Sequence, residues 1–218
     1  MESKTTKKVT RGRPVCEIKQ AEQKAKLIFS AKQLLNIKSY SQITIRDIAS
    51  EASINSAMIK YYFGGKENLF VELIKSIADE QFSQFEDLGE HKNPVYLFIR
   101  RFGEILQSHP GIVHLLSEEV LNKTTPLAQA FMAAFPARVS KFLPPLIQQE
   151  TGISDTKKAK LAAFQLITLL VSPYILKTLR QQAWQIDDTE IQGEAWAKDL
   201  YRHFIYGLKE SNINEVEF

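Results

Sequence analysis

Hydroxyl, cationic and phenolic side chains lie close together between residues 55 and 66. Ser56, Lys60 and Tyr61 fall on the exposed side of a short segment with helical spacing, and Lys66 follows just beyond it. Such groups suit a nucleic-acid backbone and groove, because cations and hydroxyls bind phosphate oxygens and small polar side chains reach base edges. An ordinary helical hairpin with a solvated polar face explains the same residues equally well, so both interpretations stand at this point.

Two short helices joined by a tight turn are predicted to position these groups. Thr44 begins the first helix, since its hydroxyl can accept a hydrogen bond from a backbone amide one turn on. Ser53-Ile54 interrupts the pattern, Asn55 begins the second helix, and Gly64-Gly65 ends it. The apolar positions that mark the buried faces are Ile45, Ile48, Ala49, Ala52, Met58, Ile59 and Tyr62. A short helix after a tight turn is how a helix-turn-helix enters the major groove of DNA.

The helices on either side of this pair supply its support. A helix over about residues 18–37 carries one apolar stripe, and we expect that stripe to pack beneath the two short helices. A long helix begins at Lys66, and its apolar face continues through Phe70 and Ile77. We expect it to be the only element that touches both the DNA module and the remainder of the chain.

From about Ala25 to Leu73 the chain resembles the DNA-binding domain of the TetR family of bacterial transcription regulators, with gapless spacing. The residues that carry the resemblance are Leu27, Ile28, Ala31, Leu34, Leu35, Tyr40, Thr44 to Ala49, Asn55, Ile59, Tyr62-Phe63 and Lys66 to Leu69. The family usually has Gly where Ser39 and Ser53 stand, and a Leu-Tyr pair where Ile59-Lys60 stands. We expect Ser53 to hold the turn at some strain, and Lys60 still to reach a phosphate.

The resemblance implies an all-α fold. It begins with a three-helix DNA-binding domain containing the helix-turn-helix, and a helical-bundle domain for ligand binding and dimerisation follows. We assign Tyr61 and Lys66 to phosphates and Ser56 to sequence preference. The full set of predicted DNA contacts in this region is Thr44, Arg46, Asn55, Ser56, Lys60, Tyr61, Tyr62 and Lys66.

A basic arm precedes the helix-turn-helix. Residues 1–16 are polar and are predicted to be disordered. Their Arg11-Gly12-Arg13-Pro14 sequence resembles the core of an AT-hook, in which Arg11 and Arg13 would enter a narrow A·T minor groove. A solubilising tail is the alternative for so short a motif, and the adjacent helix-turn-helix favours DNA.

The charge of the chain is divided unevenly between its two parts. Residues 1–66 hold 13 Lys or Arg against 5 Asp or Glu, whereas residues 67–218 hold 15 against 20. A basic N-terminal part on an acidic remainder is typical of a nucleic-acid module attached to another domain. We therefore divide the chain into the arm at 1–16, the DNA-binding domain at 17–66 and the ligand-binding and dimerisation domain at 67–218.

Composition excludes several other classes of protein. The chain has 218 residues, 44% of them hydrophobic, which is enough for a substantial core, and it shows no alternating strand pattern. No apolar run approaches the roughly 20 residues that span a membrane, and no signal peptide is evident, so we expect a cytoplasmic protein. The single cysteine, Cys16, excludes an internal disulfide.

The residues that enzymes and metal sites require are scattered. No phosphate-binding glycine loop, nucleophile elbow or paired-cysteine motif is present. The four histidines, His91, His109, His114 and His203, lack the i, i+4 spacing of a helical metal site. We therefore expect no enzyme, no metal and no cofactor.

Proline and aromatic residues carry the main structural information in the C-terminal part. Pro136 and Pro144-Pro145 are predicted to interrupt a helical pattern over 127–150, and Pro173 to kink the next helix. The aromatic residues are either the core of a bundle or, in part, the wall of a ligand cavity, which is typically apolar. The resemblance implies an effector pocket, and the predicted wall residues are Phe98, Phe102, Phe135 and Tyr174.

Two apolar helix faces near the end of the chain predict a homodimer. Trp196, Leu200 and Phe204 lie at i, i+4 and i+8 of the last helix. Leu161, Phe164 and Thr168 share a face of the strong helix before it. By the resemblance, these two helices pair with their copies in a partner subunit.

The main hypothesis is a dimeric regulator that binds a pseudo-palindromic double-stranded DNA operator. It is expected to be a repressor, released by a small apolar or amphipathic effector. One alternative is a constitutive DNA-binding accessory protein without an effector pocket. Another is a helical-bundle enzyme with an incidental basic arm. No membrane partner is expected.

Overall fold

The structure, a computed structural model, describes residues 13–121 and 124–210 of the chain. The regular structure of these residues is helical, without a strand, as the sequence predicts. Helix α1 begins at Arg13, so the last four residues of the predicted 1–16 arm are helical rather than disordered. The minor-groove prediction for Arg11, and for the side chain of Arg13, lies outside the described part of the chain.

Within the described ranges the chain forms α-helices linked by short turns. The first half contains α1 (Arg13–Leu35), α2 (Ile45–Ala52), α3 (Ala57–Phe63), α4 (Lys66–Phe82), α5 (Pro94–Ser108) and α6 (Pro110–Leu115). The second half contains α7 (Pro126–Ala134), α8 (Pro136–Thr151), α9 (Thr156–Ile175), α10 (Lys177–Ala183) and α11 (Gly193–Glu210). A π-helical turn over Leu116–Val120 follows α6.

Helix α4 joins the first three helices to the rest of the fold. Its early residues Leu69 and Phe70 are fully buried, and α4 packs on both α1 and α3. Helix α7 runs beside it in the same direction. The backbone amide of Leu127 at the start of α7 donates to Glu67 Oε1 at 3.4 Å, and Phe135 just after α7 packs its ring 6.3 Å from that of Phe82.

A second element also spans the two parts of the fold. Gly111 of α6 lies against the backbone of Leu35, where a Cβ on the glycine would come within 2.5 Å of the Leu35 carbonyl oxygen. The expectation that only the α4 helix touches both parts is therefore wrong. Helices α1 and α6 meet directly because glycine leaves room for backbone against backbone.

The centre of the C-terminal part is filled by phenylalanine rings. Phe85, Phe98 and Phe142 lie within 5.4–5.8 Å of one another by ring centroid, and Phe82 and Phe102 extend the cluster. Offset and edge-on aromatic pairs at this spacing are favourable beyond the area that they bury. These rings hold α4, α5 and α8 together.

The prolines in this part act differently from one another. Pro136 separates α7 from α8, as predicted, but Pro144-Pro145 lies inside α8, which continues to Thr151. The helix survives because Leu143 and Ile147 on the same face are fully buried and stabilise it. The carbonyls left without helical donors belong to Ser140 and Lys141, two exposed residues whose carbonyls water can reach.

Helix α9 ends just after Pro173, and α10 leaves it at an angle of 70°. The buried Arg180 stabilises this bend: its Nε donates to the Pro173 carbonyl at 3.1 Å, its Nη1 to the Ile186 carbonyl at 2.5 Å, and its Nη2 to Asp188 at 2.5 Å. Within the described ranges no single helix is long and apolar enough to cross a membrane, although the bent α9–α10 pair meets that test by length and composition alone.

Helix α11 packs along α5 with its apolar face inward. Phe204 is buried, and Trp196 and Leu200 are half-buried against the core. The ring of Trp196 would lie 3.3 Å from a Cβ placed on Gly103 of α5. The face that the sequence assigns to a partner subunit is therefore covered by the protein's own chain.

Candidate nucleic-acid interface

The first helix of the helix-turn-helix begins with a reciprocal capping box. Thr44 Oγ1 accepts from the backbone amide of Asp47 at 3.1 Å, and Asp47 Oδ2 accepts from the backbone amide of Thr44 at 2.8 Å. These bonds satisfy two amide groups that a helix start leaves unpaired. The Thr44 hydroxyl also donates to Asp47 Oδ2 at 2.7 Å, and these bonds hold the pKa of Asp47 below its usual value.

The turn between the two helices has the geometry that the sequence predicts. Ser53 adopts a left-handed conformation with φ of 53° and ψ of 41°, which costs a non-glycine residue energy. Asn55 Oδ1 accepts from the backbone amide of Ala57 at 2.9 Å, so the predicted role of Asn55 in starting the second helix is confirmed. Gly64, with φ of 77°, ends that helix, and Asn68 Nδ2 donates to the Phe63 carbonyl at 2.8 Å.

Four predicted contact residues lie on the exposed surface of α2 and α3. Arg46 lies on α2, Ser56 just before α3, and Lys60 and Tyr61 on α3, all of them exposed. Tyr61 is the most prominent, with 70% of its surface accessible. The fully buried Ile48 and Ile59 hold the two helices on the core, so this polar surface is presented by a fixed backbone.

The other predicted contact residues are engaged within the protein. Both donors of Thr44 bind Asp47, and the side-chain oxygen of Asn55 serves as a cap. The hydroxyl of Tyr62 donates to Gln23 Oε1 on α1 at 2.5 Å. These three side chains help to position the helix-turn-helix, although Thr44 and Asn55 are also exposed.

The observed position of Lys66 differs clearly from the prediction that it contacts a phosphate. Its ammonium points inward and donates to the carbonyls of Tyr40 and Ile43, each at 2.6 Å. It also lies 4.0 Å from the centroid of the Tyr40 ring, at cation–π distance. The assignment of Lys66 to a phosphate is therefore wrong in this structure, because the cation is held by the loop that precedes α2.

The surroundings of Lys66 are partly buried and acidic. Burial lowers the pKa of Lys66, while the carboxylates of Glu119 and Asp47 oppose that shift. Burial raises the pKa of Tyr40 to about 12, and Glu67 and Glu119 add to the effect. Glu119 belongs to the π-helical turn after α6, so this group of charges lies where the helix-turn-helix meets the C-terminal part.

The predicted ligand-wall residues do not form one cavity wall. Phe98 is fully buried in the aromatic cluster, with its ring 5.2 Å from that of Phe102. Phe135 packs on Phe82 and Phe131, while the Tyr174 hydroxyl donates to the Ile191 carbonyl at 3.4 Å beside a different helix pair. Phe98, Phe102 and Phe135 pack against other rings, whereas Tyr174 contacts the segment after α10, so the four side chains do not face one another.

The predicted dimer residues separate into two groups. Leu161 and Phe164 on α9 are 58% and 70% exposed, and Thr168 is exposed on the same face. Further exposed apolar side chains on α9, on α10 and just after each of these helices are Leu169, Leu176, Leu179 and Trp184. By contrast, Phe204 is buried and Trp196 and Leu200 are partly buried against α5 and the core, so this face is engaged within the chain itself.

Sequence reasoning missed several residues that build these surfaces. Asp47 was recognisable, because Thr44-Ile-Arg-Asp47 has the spacing of a capping box with an acid at its third helical position. Gln23, which holds Tyr62, and Glu150, which accepts from the backbone amide of Val95 at 2.9 Å, gave no comparable local signal. Their partners are distant in sequence and become neighbours only after folding.

Comparisons with known proteins show what the helix-turn-helix region is similar to. Residues 27–73 match the family model described as bacterial regulatory proteins, tetR family. The probable HTH-type transcriptional regulator YttP of Bacillus subtilis (strain 168) is 45% identical over 56 residues, which cover 26% of this chain and 27% of that protein. The HTH-type transcriptional dual regulator CecR of Shigella flexneri is 34% identical over 114 residues, 49% of each chain.

This chain thus spans about a quarter of the first relative's length and about half of the second's. The fold extends further than the sequence similarity. The transcriptional regulator FadR from Bacillus subtilis, solved in complex with stearoyl-CoA, has a TM-score of 0.67 at 17% identity, covering 84% of this chain and 98% of that one. A tetR-family transcriptional regulator from Streptomyces coelicolor has a TM-score of 0.66 at 18% identity, covering 88% and 83%.

Proposed function

We propose that this chain is a transcriptional regulator of the TetR family that binds double-stranded DNA through α2 and α3, because residues 27–73 match that family's model. The observation that carries this proposal is the exposed set of Arg46, Ser56, Lys60 and Tyr61 on the family's helix-turn-helix. Members of such DNA-binding families are generally not enzymes, and a regulatory role accounts for the basic N-terminal part of the chain.

In the proposed complex α3 enters the major groove. Ser56, just before the start of α3, contacts base edges, because the N-terminal residues of a recognition helix point into the groove. Lys60, Tyr61 and Arg46 contact phosphates on either side and fix the register. Thr44, Asn55, Tyr62 and Lys66 act indirectly, by holding the two helices in the docking orientation.

We propose a homodimer that binds a pseudo-palindromic operator. One helix-turn-helix offers few base contacts, so specificity favours two copies about 34–36 Å apart, one helical turn of DNA, or at a multiple of that spacing. The exposed face of α9 at Leu161, Phe164 and Thr168 is the proposed centre of the interface. Large exposed apolar patches on proteins mark interaction sites, and Leu161 and Phe164 are 58% and 70% exposed.

We further propose that the regulator is a repressor released by an amphipathic effector with a long apolar chain. The support comes from the similar fold of the Bacillus subtilis regulator, which was solved with stearoyl-CoA. In this chain such a ligand would have to part the ring cluster around Phe98 and Phe142. Displacing those rings would shift α4, which packs on the same cluster through Phe82 and on α1 and α3 through its early residues.

One observation favours the alternative of a constitutive DNA-binding protein. Phe98 is fully buried among neighbouring rings, so side chains occupy this part of the bundle interior. A regulator in which these rings do not part would bind no effector between them. The two candidates therefore differ in whether an amphipathic ligand changes DNA binding.

The test starts from duplex DNA selected from a random pool by the purified full chain. Binding to the selected duplex is measured by fluorescence anisotropy at several salt concentrations. We expect Lys60→Ala to weaken binding and lower the salt slope by about one unit for each subunit bound. Lys141→Ala, which removes an exposed cation on α8, should change neither. Selection of no sequence, or equal behaviour of the two variants, contradicts the proposed docking.

The effector is tested on the same complex. Stearoyl-CoA and palmitate are added to the bound duplex, with free coenzyme A as the control for the head group. Release by the acyl compounds and not by coenzyme A supports an apolar or amphipathic effector. Unchanged binding in every case supports the constitutive alternative and leaves the DNA-binding proposal intact.

A further inference from the structure

A polar cleft lies between the start of α5 and the C-terminal half of α11, away from the helix-turn-helix and the phenylalanine cluster. Its volume is about 310 Å³, at the lower end of the range for small-molecule sites. Its lining residues are Asn93, Tyr96, Lys198, Tyr201, Arg202, Ile205 and Tyr206. Three phenol rings and two cations line it, and no carboxylate does among the described residues.

The aromatic wall of the cleft is held in place by contacts with neighbouring side chains and helices. The rings of Tyr96 and Tyr201 meet edge to face with centroids 5.7 Å apart. The Tyr201 hydroxyl donates to Glu150 Oε1, while Glu150 Oε2 accepts from the backbone amide of Val95 at 2.9 Å. These bonds tie α8, α5 and α11 together, so the wall exists before any ligand arrives. They also give Glu150 two hydrogen-bond donors.

The cations stand along one stripe of α11. Lys198, Arg202 and Tyr206 are spaced at i, i+4 and i+8, which places them on the same helical face. Lys198 pairs with Glu194 at 2.7 Å and Arg202 with Asp199 at 3.7 Å, and all four side chains are more than half exposed. Exposed pairs of this kind are weak, so a ligand carboxylate can compete for the cations.

We propose that this cleft binds a small planar aromatic carboxylate. The ring lies between the Tyr96–Tyr201 wall and Tyr206, which is 63% exposed and forms the open side of the cleft. The carboxylate meets Arg202, whose planar guanidinium can bind both oxygens, and Lys198. The buried Ile205 gives the ring an apolar floor. The site is independent of the proposed acyl effector, because its lining shares no residue with the phenylalanine cluster.

The requirement for both a ring and a charge makes the proposal testable by calorimetry on the full chain. Naphthoate is titrated beside naphthamide, which keeps the ring without the charge, and cyclohexanecarboxylate, which keeps the charge without the aromatic ring. We expect naphthoate to bind with a Kd on the order of 0.1–1 mM, as a ligand of this size reaches. The two analogues should bind at least about tenfold more weakly, since each lacks one of the two interactions.

Variants then locate the site. Arg202→Gln should weaken naphthoate binding about tenfold and Tyr206→Leu several-fold, because both side chains are exposed and face the ligand. Lys141→Gln, an exposed cation on α8, is the matched control and should have no effect. Circular dichroism melting confirms that each variant is folded. Three outcomes would overturn the proposal, whatever the DNA measurements give. They are equal binding of naphthoate and naphthamide, unchanged binding in both cleft variants, and no heat at about 5 mM ligand, which is at least about fivefold above the expected Kd.

Discussion

Gly111 of α6 lies so close to Leu35 of α1 that a Cβ on the glycine would stand 2.5 Å from the Leu35 carbonyl oxygen and 2.7 Å from its carbonyl carbon. The obstructing atoms belong to the backbone, which cannot rotate away as a side chain can. The end of α1 and the start of α6 therefore have a fixed separation. This contact joins the DNA-binding helices to the C-terminal part at a point well apart from α4.

Gly111→Ala is expected to destabilise the protein by about 1–3 kcal/mol, the usual cost of overpacking a closely packed site. Urea denaturation followed by circular dichroism measures the change in the free energy of unfolding. Gly207→Ala is the control, because Gly207 is helical and exposed and a Cβ there has no neighbour within 4 Å. The control should be neutral or slightly stabilising. Equal effects of the two substitutions would show that the α1–α6 contact is not tight.

Lys66→Ala should lower stability, whereas Lys60→Ala should not. Removing the Lys66 ammonium leaves the carbonyls of Tyr40 and Ile43 without their donor, at a cost of about 1–3 kcal/mol. The salt slope of DNA binding by the remaining folded protein should stay unchanged. Chemical denaturation and salt-dependent anisotropy on both variants give the comparison. If Lys66→Ala lowered the salt slope and left stability at the native value, Lys66 would contact a phosphate after all, contrary to the structure.

Ser53→Gly is expected to stabilise the chain by roughly 0.5–1 kcal/mol. Ser53 has φ of 53°, where a side chain is strained and glycine is not, although glycine loses more entropy on folding. Ser50→Gly makes the same chemical change inside α2 and should destabilise by about 0.5 kcal/mol, the difference between the helix propensities of serine and glycine. The Tm values of the two variants should shift in opposite directions. A shift of both in the same direction would show that Ser53 is not strained.

His109 is expected to make stability fall in mild acid. It is buried where α5 meets α6, with Ser108 beside it and Lys32 and Glu80 nearby from α1 and α4. Burial lowers its pKa, so below the unfolded value of about 6.5 the unfolded chain takes up a proton before the folded chain does. Stability is therefore retained above that pH and lost as the pH falls towards the lower folded pKa.

The measurement is the free energy of unfolding between about pH 7 and pH 5, a range in which histidine is the principal side chain to titrate. His109→Gln should flatten the decline. The exposed His114→Gln should leave it as in the native chain. If the free energy of unfolding of both variants falls as steeply with pH as that of the native chain, His109 is not the source of the acid sensitivity.

Charging the α9 surface should separate the proposed dimer. Leu161→Glu and Phe164→Glu place carboxylates on exposed positions, so the folded monomer should tolerate them and association should weaken. Leu200→Glu, on the half-buried face of α11, should reduce stability through the monomer core instead. Sedimentation velocity and denaturation distinguish the two effects. A native chain that sediments as a monomer at micromolar concentration contradicts the homodimer.

Local signals predicted the helix-turn-helix well, because its elements begin and end at residues with specific backbone chemistry. Thr44, Asn55 and Gly64 each act within four residues of their own position, so their roles can be read from the sequence. The orientation of Lys66 could not be read in this way. Its partners at Tyr40 and Ile43 lie more than 20 residues earlier in the chain and reach it only in the folded domain.

Periodicity also identified apolar faces without identifying what covers them. Trp196, Leu200 and Phe204 were correctly placed on one face of the last helix, but a buried face is equally satisfied by the chain's own core or by a partner. The same limit applies to Phe98 and Phe102, since core and cavity walls use the same residue types. Pro144-Pro145 shows packing overcoming a local preference: the burial of Leu143 and Ile147 maintains a helix that proline alone would end.

The positions of the two tryptophans give the protein a built-in optical readout. Trp184 lies 64% exposed at the end of the proposed partner surface, whereas Trp196 is packed against Gly103. Their fluorescence should therefore differ in colour and in sensitivity to dissolved quenchers. Replacing either one with phenylalanine leaves a single emitter, so association of subunits and loosening of the α5–α11 contact can be followed separately without attaching a dye.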